Sequence, residues 1–239
     1  MVNKMFKIAL NAGHYLKTSG KRCLKKLDKN ETREWVLNNR ICDMVEKNLK
    51  AYTGYSLLRI DDTSGKTDIS VEKRAKKAND FGADIYLSLH HNAGIKGGKG
   101  GGIMVYTYLN VDETTKKLQK TVYDKLIKHT GLKGNRSEPL AKADFAECRL
   151  TKMPAILIEN GFMDSATDVP VILSEEFAFN SANAITEAIV SFGGLKKVPQ
   201  DSTLYCVQVG AFANKSNAEA LVKKLKVAGF SATIKSEKK

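Results

Sequence analysis

One stretch of ten residues constrains this chain more than any other: Pro154-Ala155-Ile156-Leu157-Ile158-Glu159-Asn160-Gly161-Phe162-Met163. Its bulky aliphatic run is too short for a core helix and is bounded by Pro and Gly, which is the pattern of a buried strand. The run ends in a single carboxylate. Burying a lone charge is expensive, and in open α/β sheets ligands gather beyond the carboxyl ends of the strands. Glu159 is therefore either tied to a structural partner or poised in a site.

The remaining elements supply the sheet and its helices. Phe6-Lys7-Ile8-Ala9-Leu10 reads as a strand, followed by the turn Asn11-Ala12-Gly13-His14, so His14 falls just past a strand end. Residues 15–30, rich in Lys, Gly and Ser, read as a surface loop. A helix is expected from Glu31 to Tyr52 with Asn30 as N-cap. Leu37, Ile41, Val45 and Leu49 form its apolar stripe, and projecting that stripe backward places Glu34 on it. Glu31 lies in the first turn, where the helix dipole accounts for an acid; it is the reserve candidate behind Glu34.

A second strand, 55–60, leads to a helix over 71–81 capped by Ser70. Asp84 to Ala93 is another buried strand, ending in His90-His91. The Gly/Lys loop at 94–102 lacks the spacing of a nucleotide-binding loop. A strand over 103–108 and a helix over 113–130 follow, with His129 at the helix C-terminus, where the dipole favours it. Residues 131–153 form a long polar connection, the kind that shapes a substrate groove. A helix over 175–192 closes the domain. The expected class is α/β, a mostly parallel sheet with helices on both faces, plus a small C-terminal β-α-β unit. The domain borders fall at 1–193, a linker at 194–202, and 203–239, where Leu204–Val209 and Ser231–Lys235 alternate as strands around a helix over 217–228.

His14, Glu34 and His90 converge on one end of such a sheet. Two imidazoles and a carboxylate are a catalytic zinc set, leaving a fourth tetrahedral position for water. Zinc acidifies a water and polarises a carbonyl. A second carboxylate off the metal is then needed as general base, and Glu159 supplies it. By spacing alone His91 competes with His90; strand alternation sends the two to opposite sides, so only one can serve.

Composition narrows the surroundings. The 239 residues carry a net charge of +13 and a pI near 9.5, a field that suits anionic polymers. Residues 194–239 hold nine lysines against Asp201, Glu219 and Glu237, so +6 lies there and +7 on the first 193 residues. Cys23, Cys42, Cys148 and Cys206 are scattered without a C-x-x-C pair and read as reduced thiols. No apolar run is long enough to span a bilayer. Met1 to His14 reads as a first strand and not a signal peptide. The expectation is synthesis in the cytoplasm and no membrane anchor.

Four blocks carry a resemblance: Asn11-Ala12-Gly13-His14, Glu34-x-x-x-Asn38, Ser88-Leu89-His90-His91-Asn92-Ala93 and Pro154 to Phe162. Together, in this order, they resemble the zinc-dependent N-acetylmuramoyl-L-alanine amidases of type 3, over about residues 5–193. Arg59 and Arg74 to Asn79 fall where that family's elements between the second and third blocks would place them. The resemblance implies zinc on His14, Glu34 and His90, catalysis by Glu159, and hydrolysis of the amide between N-acetylmuramic acid and L-alanine in peptidoglycan. It gives the ligand role to the first histidine of the pair and leaves His91 unassigned. The turn before Gly-His departs from the family's usual Asp-Pro or similar, and Ser165 stands near a frequent Asn; neither touches an implied ligand.

The tail is similar to one repeat of a SPOR peptidoglycan-binding module, through Tyr205 to Phe212, Ala218-Glu219-Ala220-Leu221 and Gly229-Phe230. A SPOR domain resembles two such halves folded together, so the resemblance implies either a shortened chain or a homodimer paired through its tails. The implied partner is peptidoglycan, not nucleic acid, and the implied setting is a phage endolysin or a sporulation autolysin that reaches the cell wall through a membrane hole or by lysis. Two other readings share some of these features. A muropeptide carboxypeptidase would use the same metal logic plus an arginine clamp for a free carboxylate, and only Arg149 lies near the Glu159 block. A non-enzymatic basic binding protein would explain the charge but not four site-type residues at element ends.

Overall fold

The computed structural model describes residues 5–199 and 207–236. Two compact units divide the chain, Met1–Val198 and Pro199–Lys239. In the first, the elements run β1 (Phe6–Ala12), α1 (Glu34–Leu49), β2 (Tyr52–Thr53), β3 (Tyr55–Arg59), α2 (Val71–Phe81), β4 (Ile85–Asn92), β5 (Ile103–Thr107), α3 (Glu113–Thr130), β6 (Leu140–Lys142), α4 (Ala146–Arg149), β7 (Ala155–Phe162), α5 (Val169–Ile172), α6 (Glu175–Gly193) and β8 (Lys196–Lys197). Six strands form one sheet in the order β3-β1-β4-β7-β5-β6. All its pairings are parallel except β5 with β7. The class matches the sequence expectation.

The central strands are apolar on both sides because both faces are covered. Strand alternation sorts their residues. Ile8, Leu10, Leu87, Leu89, Ile156 and Ile158 pack with α1, α3 and α6 in the main core. Ala9, Tyr86, Ala155 and Leu157 turn to a smaller cluster with Ala78 of α2 and Cys148 of α4. The same alternation then fixes the polar residues beyond. Asn11, Ser88, His90 and Glu159 follow the second set, and His91 follows the first. The two helices on the site's side are short, so that face is thinly covered.

Several boundaries differ from the sequence reading. Helix α1 begins at Glu34, with Arg33 and not Asn30 at its N-cap position. The cause is local: Asp28 accepts hydrogen bonds from the backbone N–H groups of Asn30 (3.0 Å) and Thr32 (2.7 Å) and holds these residues in a turn. Glu31 sits there with φ of 48°. The 131–153 connection contains β6 and α4, and α5 lies between β7 and α6. Lys196–Lys197 pair with Tyr52–Thr53, so the first residues of the expected linker are held by the first unit. Ser70 caps α2 as expected.

In the second unit α7 spans Lys215–Val227 and is capped by Asn214, whose side chain accepts from the Ser216 N–H. Residues 204–206 of the expected strand over 204–209 lie outside the described residues, and 207–209 form no strand. Residues 231–235 form no strand, for among the described residues no ladder partner lies beside them. Cys23, Cys42 and Cys148 are buried free thiols; Cys206 lies outside the described residues. Among the described residues no helix is long and apolar enough to cross a membrane.

Candidate metal and catalytic site

His14 follows β1 in the left-handed region, with φ of 67°. A non-glycine residue there is held by its surroundings. The Arg74 guanidinium donates to the carbonyls of Ala12 (2.8 Å) and His14 (2.7 Å). Asn38 Nδ2 donates to the Gly13 carbonyl at 3.2 Å, and the Gly13 N–H donates to Leu89 O at 2.9 Å. Gly13 is required for a second reason: a Cβ there would collide with the imidazole of His90. The tight turn therefore brings the two rings together, edge to face, with centroids 5.0 Å apart.

Glu34, fully buried in the first turn of α1, lies between them. Its Oε1 is 3.1 Å from His90 Nδ1 and accepts from the His91 backbone N–H at 3.1 Å. Its Oε2 is 3.4 Å from His14 Nε2. Burial pushes the carboxyl upward, but the close approach and charge of His14 and His90 outweigh it and hold Glu34 well below the usual range. One ligand atom from each of the three residues lies within 4.8 Å of the others. Two atoms bound tetrahedrally at roughly 2.1 Å stand about 3.4 Å apart, close to the spacings seen here. His14 Nε2 and Glu34 Oε2 are both buried with no hydrogen-bond partner. Orphaned, converging N and O donors fit a cation better than they fit one another.

Glu159 reaches the same place by register. It pairs with His90 across β4 and β7, so both side chains leave the sheet on one face. Its Oε2 is buried without a partner. Burial, the largest influence, pushes the Glu159 carboxyl up to about 7, against the charges of His90 and Lys21, which pull it down. His14, His90 and Glu159 line one cleft of about 410 Å³, together with Lys21, Phe145 and Glu147. The 131–153 connection supplies two of these six, so it forms part of the cleft wall.

His91 is settled by alternation. Its Nδ1–H donates to Asn38 Oδ1 at 2.7 Å on the α1 side. Burial lowers it to about 3, so it is neutral. Its backbone, not its ring, serves Glu34. The reserve candidate Glu31 is elsewhere, paired with Arg22 at 3.0 Å and Lys25 at 3.9 Å. His129 pairs with Glu187 of α6 at 3.2 Å. Arg149 is committed to Asp144 and does not line the cleft. Arg74 lines it, but its donors go to Ile69 O, Asn11 Oδ1, Ala12 O and His14 O. The arginine clamp that a carboxypeptidase would need is thus missing among the described residues.

Glu147 is the residue that sequence reasoning missed. It is buried beside His90, with Oε2 3.6 Å from Nε2. Burial raises its carboxyl, but the hydrogen bonds and charge of His90, with Ser88 and Arg74, bring it down to about 2. Burial likewise lowers His90, and the two flanking carboxylates override this and push it up to about 10. Two carboxylates on opposite nitrogens thus hold His90 as its cation, and a divalent cation on the nitrogen facing Glu34 would replace that proton's charge.

The chain resembles known proteins in two separate regions. Residues 8–191 match the family profile described as N-acetylmuramoyl-L-alanine amidase, and residues 201–239 match that of the SPOR domain. A sporulation-specific N-acetylmuramoyl-L-alanine amidase of Bacillus subtilis (strain 168) is 33% identical over 183 residues, covering 77% of this chain and 68% of that one. An endolysin of Bacillus phage SPP1 is 33% identical over 124 residues, 52% of this chain and 45% of that one. Among solved structures, an N-acetylmuramoyl-L-alanine amidase from Clostridium difficile 630 has the same fold, with a TM-score of 0.71 at 24% identity, over 79% of this chain and 97% of that one.

Proposed function

The chain belongs to the N-acetylmuramoyl-L-alanine amidase family, and from that premise we propose that it hydrolyses the amide between N-acetylmuramic acid and L-alanine in peptidoglycan, with zinc held by His14, Glu34 and His90. The observation that carries the metal is the pair of orphaned, buried donor atoms on His14 and Glu34 facing one another beside His90. When bound, zinc supplies Lewis-acid polarisation of the scissile carbonyl and acidifies a water.

The protein's own residues do the rest. Glu159, poised near neutrality by burial, takes a proton from the attacking water and passes it to the departing nitrogen. The water oxygen adds to the lactyl carbonyl carbon, the C–N bond breaks, and the products are a lactyl carboxylate and the free amino group of L-alanine. Arg74 holds the His14 backbone, and the turn at Gly13 sets the His14–His90 approach. Lys21, with Nζ 3.7 Å from Glu34 Oε2, places a positive charge at the cleft where negative charge builds in the reaction.

The second unit is assigned to wall binding through its likeness to the SPOR domain. Its exposed apolar side chains Val209, Phe212, Val227 and Phe230 are ones that a second copy would cover in a homodimer. Two measurements test the whole reading. Digestion of purified peptidoglycan should release new L-alanine amino ends without new reducing sugar ends, and metal analysis should find about one zinc per chain. New D-residue amino ends, or a metal-free protein with full activity, would refute it.

A further inference from the structure

We propose that Glu147 is a positioning residue that fixes the tautomer and orientation of His90 for metal binding; the inference rests on the zinc reading above. A neutral imidazole carries one N–H, and a metal ligand must present its bare nitrogen. The two nitrogens of His90 face different environments. Nδ1 is aimed at Glu34 and thus at His14. Nε2 is aimed the other way, at Ser88 Oγ (3.0 Å) and Glu147 Oε2 (3.6 Å). Acceptors lie on both sides of the ring, but only Nδ1 faces the other proposed ligands, so with zinc on Nδ1 the one remaining proton sits on Nε2, toward Ser88 Oγ and Glu147.

Glu147 is itself held. Asn11 Nδ2 donates to Ser88 Oγ at 2.8 Å and lies 3.3 and 3.5 Å from the two Glu147 oxygens. Arg74 donates to Asn11 Oδ1 at 2.6 Å and, through its other donors, to the backbone of Ala12 and His14. One chain of contacts therefore runs from Arg74 through Asn11 to Glu147 and His90, while the same guanidinium fixes the turn that carries His14. A buried carboxylate is a poor source of stability. A carboxylate accepting from the outer nitrogen of a ligating histidine makes that ligand more basic and stops the ring from turning.

The test uses the full chain and zinc itself. Zinc affinity is measured by competition with a chromophoric chelator for the wild type, Glu147→Gln and Glu147→Ala, with folding checked by circular dichroism on the metal-free proteins. Since the chain has four histidines, nitrogen-15 imidazole spectra of the zinc-loaded proteins can follow the His90 ring individually. Both variants should bind zinc roughly 10–100-fold more weakly, and the slowly exchanging Nε2–H of His90 should become fast. Should Glu147→Ala fail to fold, the near-isosteric Glu147→Gln decides alone. A folded Glu147→Gln protein that loses less than about threefold in zinc affinity and keeps the Nε2–H protected would overturn the assignment. If the wild type binds no zinc, the metal reading falls and takes this inference with it; normal wild-type binding with unaffected variants refutes the role of Glu147 alone.

Discussion

His90 and Glu159 stand opposite each other in the register of two neighbouring parallel strands. A proposed metal ligand and the proposed general base are therefore set side by side by the sheet itself and not by loops. Strand pairing is among the more rigid relationships in a fold, so their spacing is fixed before any substrate arrives.

Replacing Glu159 by Gln should remove catalysis and leave the metal. A general base contributes typically about 10²–10⁴-fold, so kcat/KM on a soluble muropeptide should fall by that order while zinc content stays at the wild-type level. The wild-type profile should show an acid limb, rate rising with pH. Its midpoint should lie between the ordinary 4.5 and about 7, because burial raises Glu159 and a bound cation pulls it back. A rate independent of pH across that window would argue against Glu159 as base.

The same carboxyl should cost stability in the chelated protein. Glu159 is raised from 4.5 to about 7, so between those values the folded state binds more protons than the unfolded one. Stability therefore falls as pH climbs through the window, and the whole penalty is present above about 7. At roughly 1.4 kcal/mol per pKa unit the cost reaches about 3 kcal/mol. Metal-free Glu159→Gln should melt higher than the metal-free wild type at pH 8 and alike at pH 4. Equal melting temperatures at pH 8 would count against the buried carboxylate described above.

Gly13→Ala should damage both fold and metal site. The added methyl meets the His90 ring, and accommodating it costs about 1–3 kcal/mol. Denaturant titration should show that loss, and chelator competition should show weaker zinc binding. Gly20→Ala provides the contrast: nothing lies within 4 Å of its Cβ, so only the strain of its φ of 71° is felt and zinc affinity should be unchanged.

Ending the chain at Val198 should separate attachment from chemistry. The first unit ends there, so the truncated protein should keep its zinc and its activity on soluble muropeptides. Sedimentation with insoluble peptidoglycan should drop sharply. Light scattering on the two forms tests pairing through the tail: a mass of two chains is expected for the full protein and of one for the truncation.

Much of this was legible in the residues. The short apolar runs of β1, β4 and β7 declare buried strands, and the polar residues at their ends mark the site because nothing else explains His14, His90 and Glu159 there. Period two also separates His90 from His91. What stayed hidden depended on contacts distant in sequence. Helix α1 starts at Glu34 because Asp28 ties up the preceding backbone, which outweighs the cap preference of Asn30. Glu147 gave no local signal, since it sits in a one-turn helix within a polar connection and meets Asn11 only across 136 residues of chain. The pairing of Tyr52–Thr53 with Lys196–Lys197 is similarly too short to announce itself.

The unequal covering of the sheet has an evolutionary consequence. Three long helices seal the face that holds the molecule together, while the face that does the chemistry lies under two short ones and a connecting segment. Mutations in that segment can reshape the cleft without drawing on the reserves of the main core. A lineage built on this plan can therefore vary its cleft while its scaffold stays still.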